Sequence, residues 1–171
     1  MQNAKRVRKY RKISTAIWND QKIRMLSRGA QYIFIRILTH QDLTSLGAIK
    51  ATKSGLAEEF KIGKAVFNRQ FEELLVHNLL VMDEEVGMIW APNFLKHNRP
   101  ESPNVVKHWA NAYDNLPECE LLTRVLLGAR TIVLDMGMGF REAFSETFPQ
   151  YPCEEGFSKT GEQAISSKEV W

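Results

Sequence analysis

The sequence predicts a mostly α fold with one small β-hairpin, and three observations carry that prediction. Apolar residues recur at helical spacing in successive windows between residues 21 and 134. Two short apolar runs, 79–82 and 88–91, are separated by Asp83, Glu84, Glu85, Val86 and Gly87, a length and composition that suit a hairpin loop. Ahead of that hairpin stand a brief helical window and a longer one, joined by Lys61, Ile62 and Gly63. The resulting order of helix, strand, helix, turn, helix, hairpin is that of a winged helix-turn-helix, here followed by additional C-terminal helices.

Each element has a local reason. Residues 10–18 alternate weakly and read as an extended lead-in. Asp20 can cap a short helix through Leu26, because its carboxylate can accept from the free backbone N–H groups of the first turn. Ser27 can cap the next helix, 29–39, which buries Ile33, Phe34, Ile37 and Leu38. A polar loop, 40–45, leads to a short strand at 46–50. Thr52 or Ser54 caps a helix at 55–60 with Leu56, Ala57 and Phe60 on one face. Gly63 supplies the backbone freedom for the tight turn. Helix 64–77 places Phe67, Phe71, Leu74 and Leu75 on one stripe.

Pro92 ends the second strand of the hairpin, and a Pro- and Asn-rich stretch occupies 93–103. A helix at 104–115 presents Val105, Val106, Trp109 and Tyr113 on its apolar side, and Pro117 restarts the chain into a Leu- and Val-rich helix, 118–134. Beyond Asp135 the chain mixes Gly, Ser, Glu and isolated Phe without a sustained period, the composition of a loosely ordered segment. The expected organisation is a basic arm at 1–12, a winged-helix DNA-binding domain at 13–95, a helical extension packed on it at 96–134, and a flexible acidic tail or linker at 135–171.

Charge distribution says more than the net charge of +3. Residues 1–112 hold 18 Lys and Arg against 10 Asp and Glu, whereas residues 113–171 hold 5 against 10. A basic body suits a polyanion, since neutralising phosphate releases its condensed counterions. The two cysteines, Cys119 and Cys153, are far apart and lack zinc-ligand spacing. His40, His77, His97 and His108 form no local metal pattern, and neither a phosphate-cradling glycine loop nor a nucleophile elbow occurs. The expectation is a cytoplasmic protein that is not an enzyme, with no cofactor, no metal and no membrane association; the basic N-terminus lacks the apolar run of a secretory signal.

In a helix-turn-helix the second helix enters the major groove and offers its N-terminal residues to base edges. On helix 64–77 the face opposite the apolar stripe carries Lys64, Ala65, Asn68, Arg69 and Glu72. Asn and Arg make bidentate contacts to adenine and guanine, and Lys64 suits phosphate. Lys53 and Lys61 flank the preceding helix, where backbone contacts fall. Arg6, Arg8, Lys9, Arg11 and Lys12 of the arm can follow phosphates or enter a minor groove. Lys96 and Arg99, after the hairpin, form a third basic cluster with His97 and Asn98. A plain solvated helix face carries the same residue types, so both readings stay open at this level. The hairpin tip, with Asp83, Glu84 and Glu85, would be repelled by phosphate, so the wing either points away from DNA or serves a protein partner.

Two blocks of the chain resemble a known group. Lys12-Ile13-Ser14, Ile17-Trp18-Asn19-Asp20, Leu26-Ser27, Leu38-Thr39-His40 and Thr44-Ser45-Leu46-Gly47 make the first. Ala91 through Asn98, Pro100, Pro103-Asn104-Val105-Val106-Lys107 and Leu116-Pro117-Glu118-Cys119 make the second. Together, over residues 8–134, they resemble the N-terminal domain of phage and prophage replication proteins, the replication initiators or replisome organisers. The resemblance implies a winged-helix domain that recognises a replication origin in double-stranded DNA and helps recruit the host replicative helicase or its loader. Carried over residue by residue, it places DNA contacts at Lys64, Asn68 and Arg69. Family members commonly continue past a linker into a further region, so DNA binding is implied more directly than helicase recruitment.

Two other readings use the same residues. A winged-helix transcriptional regulator would apply the same surface to another site. A protein-interaction module would dock through the acidic hairpin and the apolar face of Leu121, Val125, Leu126 and Ile132. Whether the protein acts as a monomer or a homo-oligomer is left open.

Overall fold

A computed structural model describes residues 10–153. The chain enters through a 3-10 turn, Thr15–Asn19, capped by the Ser14 side chain, where an extended segment was expected. Three helices and a strand follow: α1 (Gln21–Met25), α2 (Arg28–Leu38), β1 (Ala48–Lys50) and α3 (Lys53–Glu59). Asp20, Ser27 and Thr52 each accept a backbone N–H at the start of α1, α2 and α3, so the side-chain caps settle these starts. After α4 (Lys64–Val76) come the hairpin strands β2 (Val81–Asp83) and β3 (Met88–Trp90).

The three strands form one antiparallel sheet in the order β1-β3-β2, with Ile49 opposite Ile89 on one side and Met82 opposite Ile89 on the other. All three residues of β3 are buried, so both faces of this central strand are covered. Gly87, at φ +65°, turns the hairpin, and its carbonyl accepts the Ala51 N–H at 2.8 Å, tying the loop to the start of α3. Gly47 also sits in the left-handed region, at φ +76°, and a Cβ there would lie 2.5 Å from the Cβ of Phe94. Backbone angle and space both demand glycine.

The turn between α3 and α4 departs from the expectation placed on Gly63, whose φ of −57° is ordinary. Lys61 takes the left-handed conformation instead, at φ 58°. Its N–H bonds the Glu58 carbonyl while that of Ile62 bonds the Ala57 carbonyl, which is a Schellman closure of α3. The same closure ends α4, with Asn78 at φ 52° and Leu79 donating to Leu74.

Past the sheet, the Pro- and Asn-rich stretch contains a one-turn helix, α5 (Phe94–His97). The single helix expected at 104–115 is two, α6 (Pro103–Lys107) and α7 (Trp109–Asp114), broken at His108. Helix α8 (Glu120–Leu134) packs on β3, where Gly128 lets the Trp90 ring come to 3.2 Å of its ideal Cβ position.

The flexible tail expected from residue 135 is corrected over its described part. Residues 138–147 form α9 (Met138–Thr147), which packs against α6 and α8. Phe144 and Phe148 are buried, with ring centroids 5.1 Å apart, and Phe144 meets Trp109 edge-on at 6.3 Å. Isolated aromatics do not reveal a period, yet here they fill the space behind α6 and α7. Buried residues from Ile23 to Cys153 form one hydrophobic cluster, so α8 and α9 share a core with the sheet and α2–α4. The Leu121, Val125, Leu126 and Ile132 face is part of that core, 0–6% exposed, and is not a docking surface. Phe144→Ala should destabilise the fold by about 3–5 kcal/mol in denaturant titration; a change near zero would return this segment to the status of a tail.

Candidate nucleic-acid interface

Three aromatic rings hold α3 and α4 together: Phe60 meets Phe67 edge-on at 6.2 Å, and Phe67 stacks on Phe71 at 5.5 Å. A polar tie fixes α4 from the other side. The Glu73 carboxylate accepts from the backbone N–H and the hydroxyl of Ser27, at 2.7 and 2.8 Å, while that hydroxyl accepts the Ala30 N–H that caps α2. Gln70 packs where any side chain at Gly29 would stand. No local pattern joins Ser27 to Glu73, 46 residues apart, so sequence reasoning missed this anchor.

With Phe67, Phe71 and Leu74 buried, the outer face of α4 presents Lys64, Ala65, Asn68, Arg69 and Glu72, all exposed. Lys61 is exposed at the preceding turn. Among the described residues, Lys61, Lys64, Asn68 and Arg69 make no side-chain hydrogen bond or ion pair. The start of α4 is also unoccupied by its own chain: Gly63 gives no side-chain cap and the first turn holds no acid. Its free N–H groups and the positive end of the helix dipole therefore stand beside Lys61 and Lys64.

Lys53 behaves differently. Its ammonium is ion-paired with Glu84 of the hairpin tip and lies 5.7 Å from the centre of the Phe71 ring. The expected phosphate contact is thus engaged by the acid expected to repel phosphate. Asp83 is engaged too, its carboxylate accepting from the N–H groups of Glu85 and Val86. Hairpin and α3 are joined by this pair and by the Ala51–Gly87 hydrogen bond.

The arm divides. Arg6, Arg8 and Lys9 lie outside the described residues. Arg11, expected as a phosphate contact, is half-buried: its Nη2 donates to the Leu43 carbonyl at 2.6 Å and its guanidinium lies 5.8 Å from the centre of the Phe94 ring. Burial lowers its pKa, as removing a cation from water must. Lys12 pairs with Glu101 at 2.6 Å, and its backbone N–H and carbonyl are both bonded by the Asn98 amide. A basic run read as one arm therefore ends in two residues that fasten the chain to the fold.

Arg99 is exposed and lines a crevice with Tyr10, Lys12 and Glu101 to which α3 and α4 contribute nothing. The Lys96 ammonium is lowered by burial and then by the nearby charge of Lys22. The structure thus gathers Lys61, Lys64, Asn68 and Arg69 around the start of α4, and sets Lys12 and Arg99 elsewhere. His40 belongs to neither group; its Nε2 is shared between the two Glu59 oxygens at 2.9 and 3.0 Å, joining the end of α2 to α3. Among the described residues no helix is long and apolar enough to cross a membrane, and no group of His, Cys, Asp or Glu is placed to hold a metal ion.

No protein-family model, curated protein or solved structure matches the chain.

The Lys12–Glu101 pair holds the Glu101 carboxyl below the usual glutamate range, first through its hydrogen bond and then through charge. A depressed carboxyl pKa contributes stability above the ordinary glutamate range that is lost as pH falls through the folded value. Both groups are exposed, so the stability effect is small. In an NMR pH titration, Lys12→Met should return Glu101 to the ordinary glutamate range.

Proposed function

We propose that the protein is a winged-helix binder of double-stranded DNA that reads the major groove with α4. The observation that carries this reading is the cluster around the start of that helix. Lys61, Lys64, Asn68 and Arg69 are exposed and unpartnered on a rigid helix whose other face is locked by Phe67, Phe71 and the Glu73–Ser27 tie. In the winged helix-turn-helix reading, α3 and α4 form the motif and β2 and β3 the wing. Asn68 and Arg69 are the base-reading pair and Lys61 and Lys64 the phosphate contacts.

Backbone strain supports a functional role for the turn. Glycine is the least costly residue at a left-handed helix end, yet Lys61 stands there. A cation kept at a position that disfavours a side chain is what a phosphate contact at the motif's turn requires.

The resemblance of residues 8–134 to phage replication initiators supports an origin as the target and replication initiation as the process, with helicase recruitment following from it. The acidic wing fits duplex approached from α4, because Glu84 is occupied in neutralising Lys53. The same surface would serve a transcriptional regulator, and selection of bound sites from random duplexes identifies the target directly. A clustered or palindromic site would also report the assembly.

Three variants test the geometry. Asn68→Ala with Arg69→Ala should abolish discrimination between a selected site and random duplex, each lost bidentate contact costing about 1–3 kcal/mol; retained discrimination would remove α4 as the reader. Lys61→Gly should raise thermal stability, by about 1 kcal/mol, while weakening duplex binding and reducing its salt slope by about one. Glu84→Ala should release Lys53 and strengthen duplex binding with a steeper salt slope; weaker binding would place the hairpin tip in contact with DNA.

A further inference from the structure

Helices α2 and α4 run antiparallel. Ser27, at the start of α2, meets Glu73 late in α4, and Gly29 meets Gln70. Toward the other end of α2, the Arg36 guanidinium lies over the Phe60 ring, 4.4 Å from its centre. Phe60 directly precedes Lys61, so α2 delivers Arg36 to the same end of α4 as Lys61 and Lys64.

Arg36 is half-exposed, and its donors are little used. Among the described residues no carboxylate lies within ion-pair distance of it. Its hydrogen-bond partner is the exposed Tyr32 hydroxyl, at 3.5 Å, the long limit for such a bond. A ring contact restrains a guanidinium without engaging its N–H groups as a carboxylate would, so the fork is held in place and left open. The acids at this end are few. Glu59 is bonded by His40, which leaves exposed Glu58 against Arg36, Lys61 and Lys64.

We infer that Arg36 of α2 is a phosphate contact of the bound duplex, flanking the start of α4. The inference rests on the proposed binding of duplex DNA and extends its footprint from α4 to α2. A planar fork suits the oxygens of a phosphodiester, and stacking on Phe60 removes much of the rotamer freedom that binding would otherwise have to freeze. A phosphate held on α2 fixes the angle at which α4 enters the groove, but carries no base information.

The experiment measures binding of the full chain to a selected site and to a random duplex across a salt series. Arg36→Met, which keeps a side chain over Phe60 without the charge, should weaken binding to both duplexes equally, by about fivefold to tenfold near 0.1 M salt. It should also reduce the salt slope by about one. Arg36→Lys should restore the slope. An unchanged slope in Arg36→Met would make Arg36 a cover for Phe60, and lost discrimination between the duplexes would make it a base reader; either overturns the inference. Lys64→Met, measured alongside, separates this from the α4 reading: a slope lowered there and not in Arg36→Met sinks the Arg36 contact alone. If the unaltered protein binds no duplex, both fall. The unaltered protein also gives a direct readout by NMR. Its Arg36 Nε–H resonance should shift saturably with random duplex and return as salt is raised. No shift overturns the inference even where Arg36→Met fails to fold, and an equal shift with poly-glutamate would assign the site to an acidic protein instead.

Discussion

Met88, Ile89 and Trp90 are at most 8% exposed, although β3 is the middle strand of a sheet only three strands wide. An antiparallel sheet with a solvated face alternates apolar and polar side chains; this strand does not alternate, so something must cover each side. Helix α8 covers one, with Gly128 admitting the Trp90 ring. From that contact the remaining C-terminal packing follows. Helix α9 rests on α8 and α6, and its Phe144 closes the space beside Trp109. The part of the chain beyond the hairpin is therefore required by the hairpin's own strand.

The same sheet sets where α3 and α4 present their surfaces. Strand β1 pairs with β3 and feeds α3 directly, while the hairpin loop returns to α3 through Ala51–Gly87 and Lys53–Glu84. Aromatic stacking then fixes α4 on α3, and Glu73 fixes it on the start of α2. None of these restraints uses the outer face of α4. A groove-reading helix needs that combination, since a side chain can discriminate bases only when the helix carrying it cannot tilt.

Much of this was legible in the sequence because local rules governed it. Asp20, Ser27 and Thr52 marked helix starts through their capping chemistry, and Phe67, Phe71 and Leu74 marked the buried side of α4 by spacing alone. The exposed cluster at Lys64, Asn68 and Arg69 followed from that stripe. What escaped was set by contacts distant in sequence. Phe144 and Phe148 lack a periodic neighbourhood, so their burial is visible only once Trp109 and Tyr113 stand opposite them. The turn between α3 and α4 misled because Gly63 is the residue that can adopt any backbone angle, whereas the Schellman register gave the left-handed position to Lys61.

Charge runs hide the largest difference of all. Six basic residues in the first twelve look interchangeable as a string, yet a cation's role depends on what surrounds it. Arg11 is half-buried over Phe94 with a backbone carbonyl as its nearest acceptor, so it pays a desolvation cost that a phosphate-tracking side chain in water does not. Lys12 is held by Glu101 and, through its backbone, by Asn98. Through these contacts the two residues fasten the start of the described chain to the fold. Their charge therefore acts on the protein itself, whereas the exposed and unpartnered Lys61 and Lys64 at the start of α4 direct theirs at solvent, where an anion can approach without displacing any internal contact.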